Sequence, residues 1–215
     1  MHEMLLSDLG AILPELWFAV VGMTMLMLGV FLPIKNPARI IAWVAIAAFV
    51  VAGFLVHLQT GAGPAFGGLV MVDVFGDFMK TLVLIGAGFT LIMSLGFIRR
   101  EGMERFEFPV LIVFATLGMF IMISANDLLS LYVGLEMQSL ALYVCAAFQR
   151  DNLRSSEAGL KYFVLGAVAS GMLLYGCSLV YGFTGTTSFT TMADVLGHGE
   201  EIGVGVIVGL VFIAA

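Results

Sequence analysis

Six long apolar runs divide the chain, at 11–32, 40–58, 74–98, 106–124, 128–148 and 160–183, with polar connections between them. About 20 apolar residues in helical form cross roughly 30 Å of hydrocarbon. Inside that layer the backbone must satisfy its own hydrogen bonds, which leaves helices and closed barrels as the spanning structures. None of the runs alternates polar with apolar residues as a barrel strand does. Only 11% of the 215 residues are charged and the mean hydropathy is +1.10, too few charges to cover a soluble surface. The fold class is therefore an all-α integral membrane protein, a multi-span helical bundle.

A further apolar run begins near Ile202 and reaches Ala215, short of the length a span needs. The expectation is a single membrane domain over 1–215 whose seventh span is incomplete, and a natural protein that is longer.

The basic residues between runs orient the bundle. Lys35, Arg39, Arg99, Arg100, Arg105, Arg150 and Arg154 all fall after the first, third and fifth runs. Positively charged connections stay in the cytoplasm, which puts the N-terminus on the outer side of the membrane. The opposite connections hold no Lys or Arg and carry Glu3, Asp8, Asp73, Asp194, Glu200 and Glu201. The net charge of −6 thus gathers at the outer surface and leaves no basic footprint for nucleic acid. The acidic opening MHEMLLSDLG lacks the basic start of a signal peptide.

Several motifs point to packing. Cys145 and Cys177 lie inside runs without CxxC spacing and read as buried thiols, so no iron–sulfur cluster and no metal site is expected. Gly203, Gly205 and Gly209 lack the context of a dinucleotide fingerprint and suit close helix packing through Gly205 and Gly209. Helical spacing turns Met25 away from Met23 and Met27, which favours lipid or core packing. The stretch Gly61 to Gly68 reads as an outer loop.

Four ionisable groups inside the runs stand out. Asp77 and Lys80 are three residues apart near the outer start of the third run, on one helical face, and can pair as a structural unit or serve a proton pathway. Glu136 lies nine residues beyond Asp127, roughly 13 to 14 Å along a helix. A glutamate does not snorkel that far, and an ionised group at mid-membrane costs about 2.5 to 3.5 kcal/mol on insertion scales. Tyr132, Ser139 and Tyr143, at offsets of −4, +3 and +7, form one polar stripe with it that should face protein or water. Glu136 then either relays protons or, held neutral, hydrogen-bonds across helices and orders the bundle. Lys161 sits just inside the sixth run, after Ser155, Ser156 and Glu157, which read as a helix start. Its face runs through Leu165, Val168, Met172 and Tyr175, while Gly166, Ala167, Ser170 and Gly171 form a separate small-residue surface. Snorkelling to the cytoplasmic interface and a relay role both remain open for it.

The stretch NDLLSLYVGLEMQSLALYVCAAF (126–148), followed by SSEAGLKYFVLGAVASGMLLYGCSLVYGFTG (155–185), resembles the antiporter-like membrane subunits of bacterial NADH:quinone oxidoreductase, respiratory complex I. LEMQSLALY around Glu136 and LKYF around Lys161 are most similar to the subunit N family. That resemblance implies the N-terminal part of an antiporter-like fold of two inverted repeats, acting as a proton-translocating subunit driven by quinone reduction elsewhere. Glu136 matches the family glutamate of the fifth helix, and Lys161 a lysine of the sixth. A further family lysine, on a broken seventh helix, is expected beyond Ala215. The resemblance also implies no cofactor and no direct NADH binding in this chain. FMN, iron–sulfur clusters and quinone are expected on partner subunits of the complex. A subunit of a multi-subunit sodium/proton antiporter and a non-translocating architectural subunit are the alternatives.

Overall fold

A computed structural model describes residues 8–31, 37–59, 63–197 and 203–215. Lys35, Glu3, Glu200, Glu201 and Gly61 lie outside the described residues. Among the described residues six helices are long and apolar enough to cross a membrane: α1 (Leu13–Phe31), α2 (Pro37–Leu58), α3 (Val74–Arg100), α4 (Glu107–Ser124), α5 (Leu128–Ala146) and α6 (Leu153–Thr184). Two shorter helices follow, α7 (Phe189–Gly197) and α8 (Val204–Ala214).

The bundle is organised around α4, which packs against α1, α2, α3 and α5. The buried face of α1 is Glu15, Phe18, Gly22, Met25 and Gly29, a spacing of three and four that keeps one side of a helix turned inward. Phe18 stacks edge-on against Phe49 of α2 and Phe120 of α4, at 5.7 and 5.2 Å between ring centroids. Small residues on α2, Ala42, Ala45, Ala48 and Ala52, bring its backbone close. The Trp17 indole N–H donates to the Ala48 carbonyl at 3.1 Å.

Helices α4 and α5 cross closest. A Cβ on Gly118 would lie 2.6 Å from the Gln138 nitrogen, and one on Gly134 would lie 2.8 Å from the Gly118 carbonyl oxygen. Glycine at both positions is what permits this backbone approach. Helix α8 packs on α6 in the same way, with Gly209 against Gly176, and Gly205 receives the Phe183 ring. The glycine spacing of the sequence is thus used for close helix packing.

Two features depart from the sequence expectation. The outer stretch after α2 is a hairpin, with β1 (Gly63–Ala65) paired antiparallel to β2 (Val70–Val72) through a turn at Phe66–Gly68. The turn takes positive φ at three successive residues, Phe66 at 51°, Gly67 at 67° and Gly68 at 93°, and glycine removes the steric cost at two of them. Helix α6 begins at Leu153, ahead of the expected start among Ser155, Ser156 and Glu157, because the Asn152 side chain caps it by accepting from the Arg154 N–H at 3.0 Å.

The connections after α2, α4 and α6 meet at one end of the bundle. Val70 bridges Ala125, the Asn126 N–H donates to the Leu69 carbonyl, and Asp127 bridges Ser188. The connections after α3 and α5, flanked by Arg99, Arg100, Arg105, Arg150 and Arg154, therefore lie at the other end, as does Arg39 at the start of α2.

Candidate functional site

Helix α5 starts at a well-anchored cap. Asp127, 3% exposed, accepts from the Leu129 N–H at 2.8 Å with Oδ1 and from the Thr187 hydroxyl with Oδ2. The cap and the Gly118–Gly134 crossing fix the depth and rotation of the helix that carries Glu136.

Glu136 is half-buried, and its Oε1 is fully buried with no hydrogen-bond donor among the described residues. An unpaired buried acceptor carries a desolvation cost, which a proton, a water or a cation relieves. The flanking tyrosines on its face both meet α6. Tyr132 and Ser170 share a hydroxyl–hydroxyl hydrogen bond of 3.1 Å. Tyr143 packs edge-on to Tyr162 and Phe163, at 4.8 and 5.8 Å, and its hydroxyl sits in the notch left by Gly166. Ser139 is half-buried on the same helix. The Glu136 face of α5 is thus a polar seam against the small-residue side of α6.

Lys161 is not brought to that seam. Its ammonium pairs with Glu157 one turn earlier at 2.6 Å, and its side chain is 70% exposed. At 100° per residue Ser170 stands opposite Lys161 on α6, so the surface that meets α5 is the one Lys161 leaves. Leu165 and Val168, on the Lys161 face, are exposed with it. Glu136 and Lys161 make no contact within this chain, and Lys161 stands at the helix end, where a snorkelling side chain is placed.

The outer pair is also corrected. Lys80, 2% exposed, pairs with Glu15 of α1 at 2.6 Å, and the ion pairs of the described residues do not include Asp77 with Lys80. The same Glu15 oxygen accepts from the Ser124 hydroxyl at 3.0 Å, and the ammonium lies 5.5 Å from the centre of the Phe120 ring. Buried Lys80 takes the carboxylate that approaches across the helix interface, leaving Asp77, 8% exposed, beside it. Glu15 is the functional candidate that sequence reasoning misses. The available signal is an acid inside the first apolar run, at the end of the bundle whose connections lack Lys and Arg.

Among the described residues no group of three His, Cys, Asp or Glu side chains is placed to hold a metal ion, and Cys145 and Cys177 are unpaired thiols.

Comparison with known proteins bears on this arrangement. Residues 125–215, from the start of the α5 cap onward, match the family model described as NADH:quinone oxidoreductase/Mrp antiporter, TM. NADH-quinone oxidoreductase subunit N of Parvibaculum lavamentivorans is 56% identical over 94% of this chain and 42% of its own length. Over nearly its whole length the chain is similar to these antiporter-like membrane subunits. It spans less than half the length of the curated family members it matches. Among solved structures, respiratory complex I from Thermus thermophilus superposes with a TM-score of 0.74 at 32% identity, covering 93% of this chain and 42% of that one. The Mrp complex from Dietzia sp. DQ12-45-1b matches with a TM-score of 0.72 at 21% identity, over 95% and 40% of the two chains, and shares the fold. Family and helices together make this a multi-pass membrane protein.

Proposed function

We propose that this chain is part of a proton-translocating membrane subunit of NADH:quinone oxidoreductase, with the N-terminus on the periplasmic side of a bacterial inner membrane. The observation that carries the reading is Glu136, a carboxylate half-way along a spanning helix with a buried, unpartnered oxygen in a seam of hydroxyl groups. A carboxylate so placed exchanges a proton with whatever cation or water reaches it. It is ionised while a cation stands near and takes a proton when that charge withdraws, because each state of the partner favours a different charge on the acid. Tyr132 and Ser170 supply hydroxyls that both donate and accept, the chemistry a hydrogen-bonded proton path needs. Lys161, paired with Glu157 at the α6 start, is assigned a relay role at the basic end of the bundle, apart from the Glu136 seam.

In this reading the chain holds no redox group. FMN, iron–sulfur clusters and quinone belong to partner subunits, and its own partners are the lipid bilayer and the other membrane subunits of the complex. The subunit contributes to the enzyme as a translocase, and its chemistry is protonation alone.

The test is to purify the assembly that contains this protein and reconstitute it in liposomes. The reading predicts a flavin- and iron–sulfur-containing complex that oxidises NADH with quinone and moves protons as it does so. An assembly without redox centres that exchanges sodium for protons would overturn it in favour of an Mrp-type antiporter.

A further inference from the structure

The proposed translocation chemistry makes no use of the charged cluster at the hairpin end of the bundle. Three helices and four side chains build it: Glu15 from α1, Asp77 and Lys80 from α3, and Ser124 at the end of α4. Each is at least nine-tenths buried. One oxygen of Glu15 is fully engaged by Lys80 at 2.6 Å and Ser124 at 3.0 Å. The other, Oε2, and the Asp77 Oδ2 are buried without a hydrogen-bond donor among the described residues.

Charge counting makes the cluster unbalanced. Two buried carboxylates face one ammonium, and the Phe120 ring beneath Lys80 adds no formal charge. The other ionisable groups that act on Asp77 are Asp73, whose carboxylate caps α3 through the Gly76 N–H at 2.6 Å, and His57 at the end of α2. Asp73 adds negative charge and His57 opposes it, so with Lys80 held by Glu15 the carboxylates around Asp77 still outnumber the cations. An uncompensated carboxylate in this setting is neutralised most simply by a proton.

The geometry offers Lys80 two partners. Across the helix interface it reaches Glu15, the pair observed. Three residues back on its own helix stands Asp77, at the spacing that lets side chains meet. A cavity of about 640 Å³ has Glu15 and Ser124 in its wall and continues past Leu117 and Leu129 to Val133 and Met137 on α5, the helix of Glu136. Glu15 and Ser124 are thereby reached from outside the packed core, while Asp77 and Lys80 stand behind them.

We propose that Glu15 and Asp77 share Lys80 and one exchangeable proton, forming a second proton-binding site at the hairpin end of the bundle. With Lys80 on Glu15, a hydronium ion gives up a proton to a carboxylate oxygen of Asp77: one of its O–H bonds breaks, an O–H bond forms on Asp77 and water is left. When Lys80 turns to Asp77, that bond breaks, the proton leaves to water or to Glu15, and no electron is transferred. The site stands independently of any role for Glu136, because it is defined by the protonation of Asp77 and not by transport.

The experiment is infrared difference spectroscopy of the whole assembled complex across a pH step, in water and deuterium oxide, in a Glu136→Gln background that removes the signal of that acid. A deuterium-sensitive carboxylic C=O band is expected. Asp77→Asn should abolish it. Glu15→Gln should also abolish it, since Lys80 is then free to hold Asp77 ionised. The double variant Glu15→Gln/Lys80→Met should restore it, since the ammonium that would hold Asp77 ionised is then gone. A band that survives Asp77→Asn, or that Glu15→Gln leaves unchanged, overturns the proposal. Should Asp77→Asn fail to assemble, the contrast between the Glu15 single and double variants decides it: equal bands in those two overturn the shared proton.

Discussion

Lys80 shows how far a single residue's role depends on what the helix next to it brings. On its own helix the neighbouring acid is Asp77, a relation visible in the sequence because three residues make most of a helical turn. The partner in the fold is Glu15, 65 residues away, with Ser124 on the same oxygen. Nothing local encodes that meeting; it follows from α1 and α3 both packing on α4. Glu136, Tyr132, Ser139 and Tyr143 are legible as one stripe for the opposite reason, that a helical period is a local property. The same period identifies the Lys161 face, and its exposure explains why Lys161 and Glu136 do not meet. Breaking the outer pair has a definite cost. Lys80→Met leaves Glu15 buried and unpaired and should lower stability by about 3 to 5 kcal/mol. Glu15→Gln/Lys80→Met should recover most of it. Thermal unfolding of the purified complex, followed at this subunit, measures both.

At the scale of the element, the apolar runs and the helices agree because length and hydropathy alone select a spanning helix. The ends are set by finer chemistry, by Asp127 at α5 and Asn152 at α6, and the latter lengthens α6 beyond its apolar part. The hairpin and α7 are short elements whose order comes from tertiary contacts: Leu69 and Gly68 bond Asn126, and Phe189 donates to the Asn126 carbonyl. Such contacts leave little pattern in a sequence. Glycine notches distinguish two kinds of helix contact. At Gly118 an added Cβ meets backbone of α5 at 2.6 Å, whereas at Gly166 it meets the far end of the Tyr143 side chain. Gly118→Ala should therefore separate α4 from α5 and cost about 1 to 3 kcal/mol or more, while Gly166→Ala should swing Tyr143 aside at smaller cost. The yield of assembled complex in detergent, compared between the two variants, checks the order.

For the whole molecule, the hydrogen-bonded hub of the hairpin, Ala125 to Asp127 and Ser188 gathers three connections at one end, with the basic connections opposite. Orientation in the bilayer then reduces to one choice. A cysteine at Pro64→Cys in the hairpin should react with a membrane-impermeant thiol reagent added to intact cells, and one at Glu101→Cys after α3 should not. The reverse pattern would turn the molecule over. The central claim is that Glu136 carries protons through this subunit, and Glu136→Gln tests it with shape and hydrogen bonding retained. In the assembled complex in sealed vesicles, protons moved per electron passed from NADH to quinone should fall in the variant. An assembled Glu136→Gln complex with an unchanged proton-to-electron ratio would contradict the account and leave Glu136 as a residue that only orders the bundle.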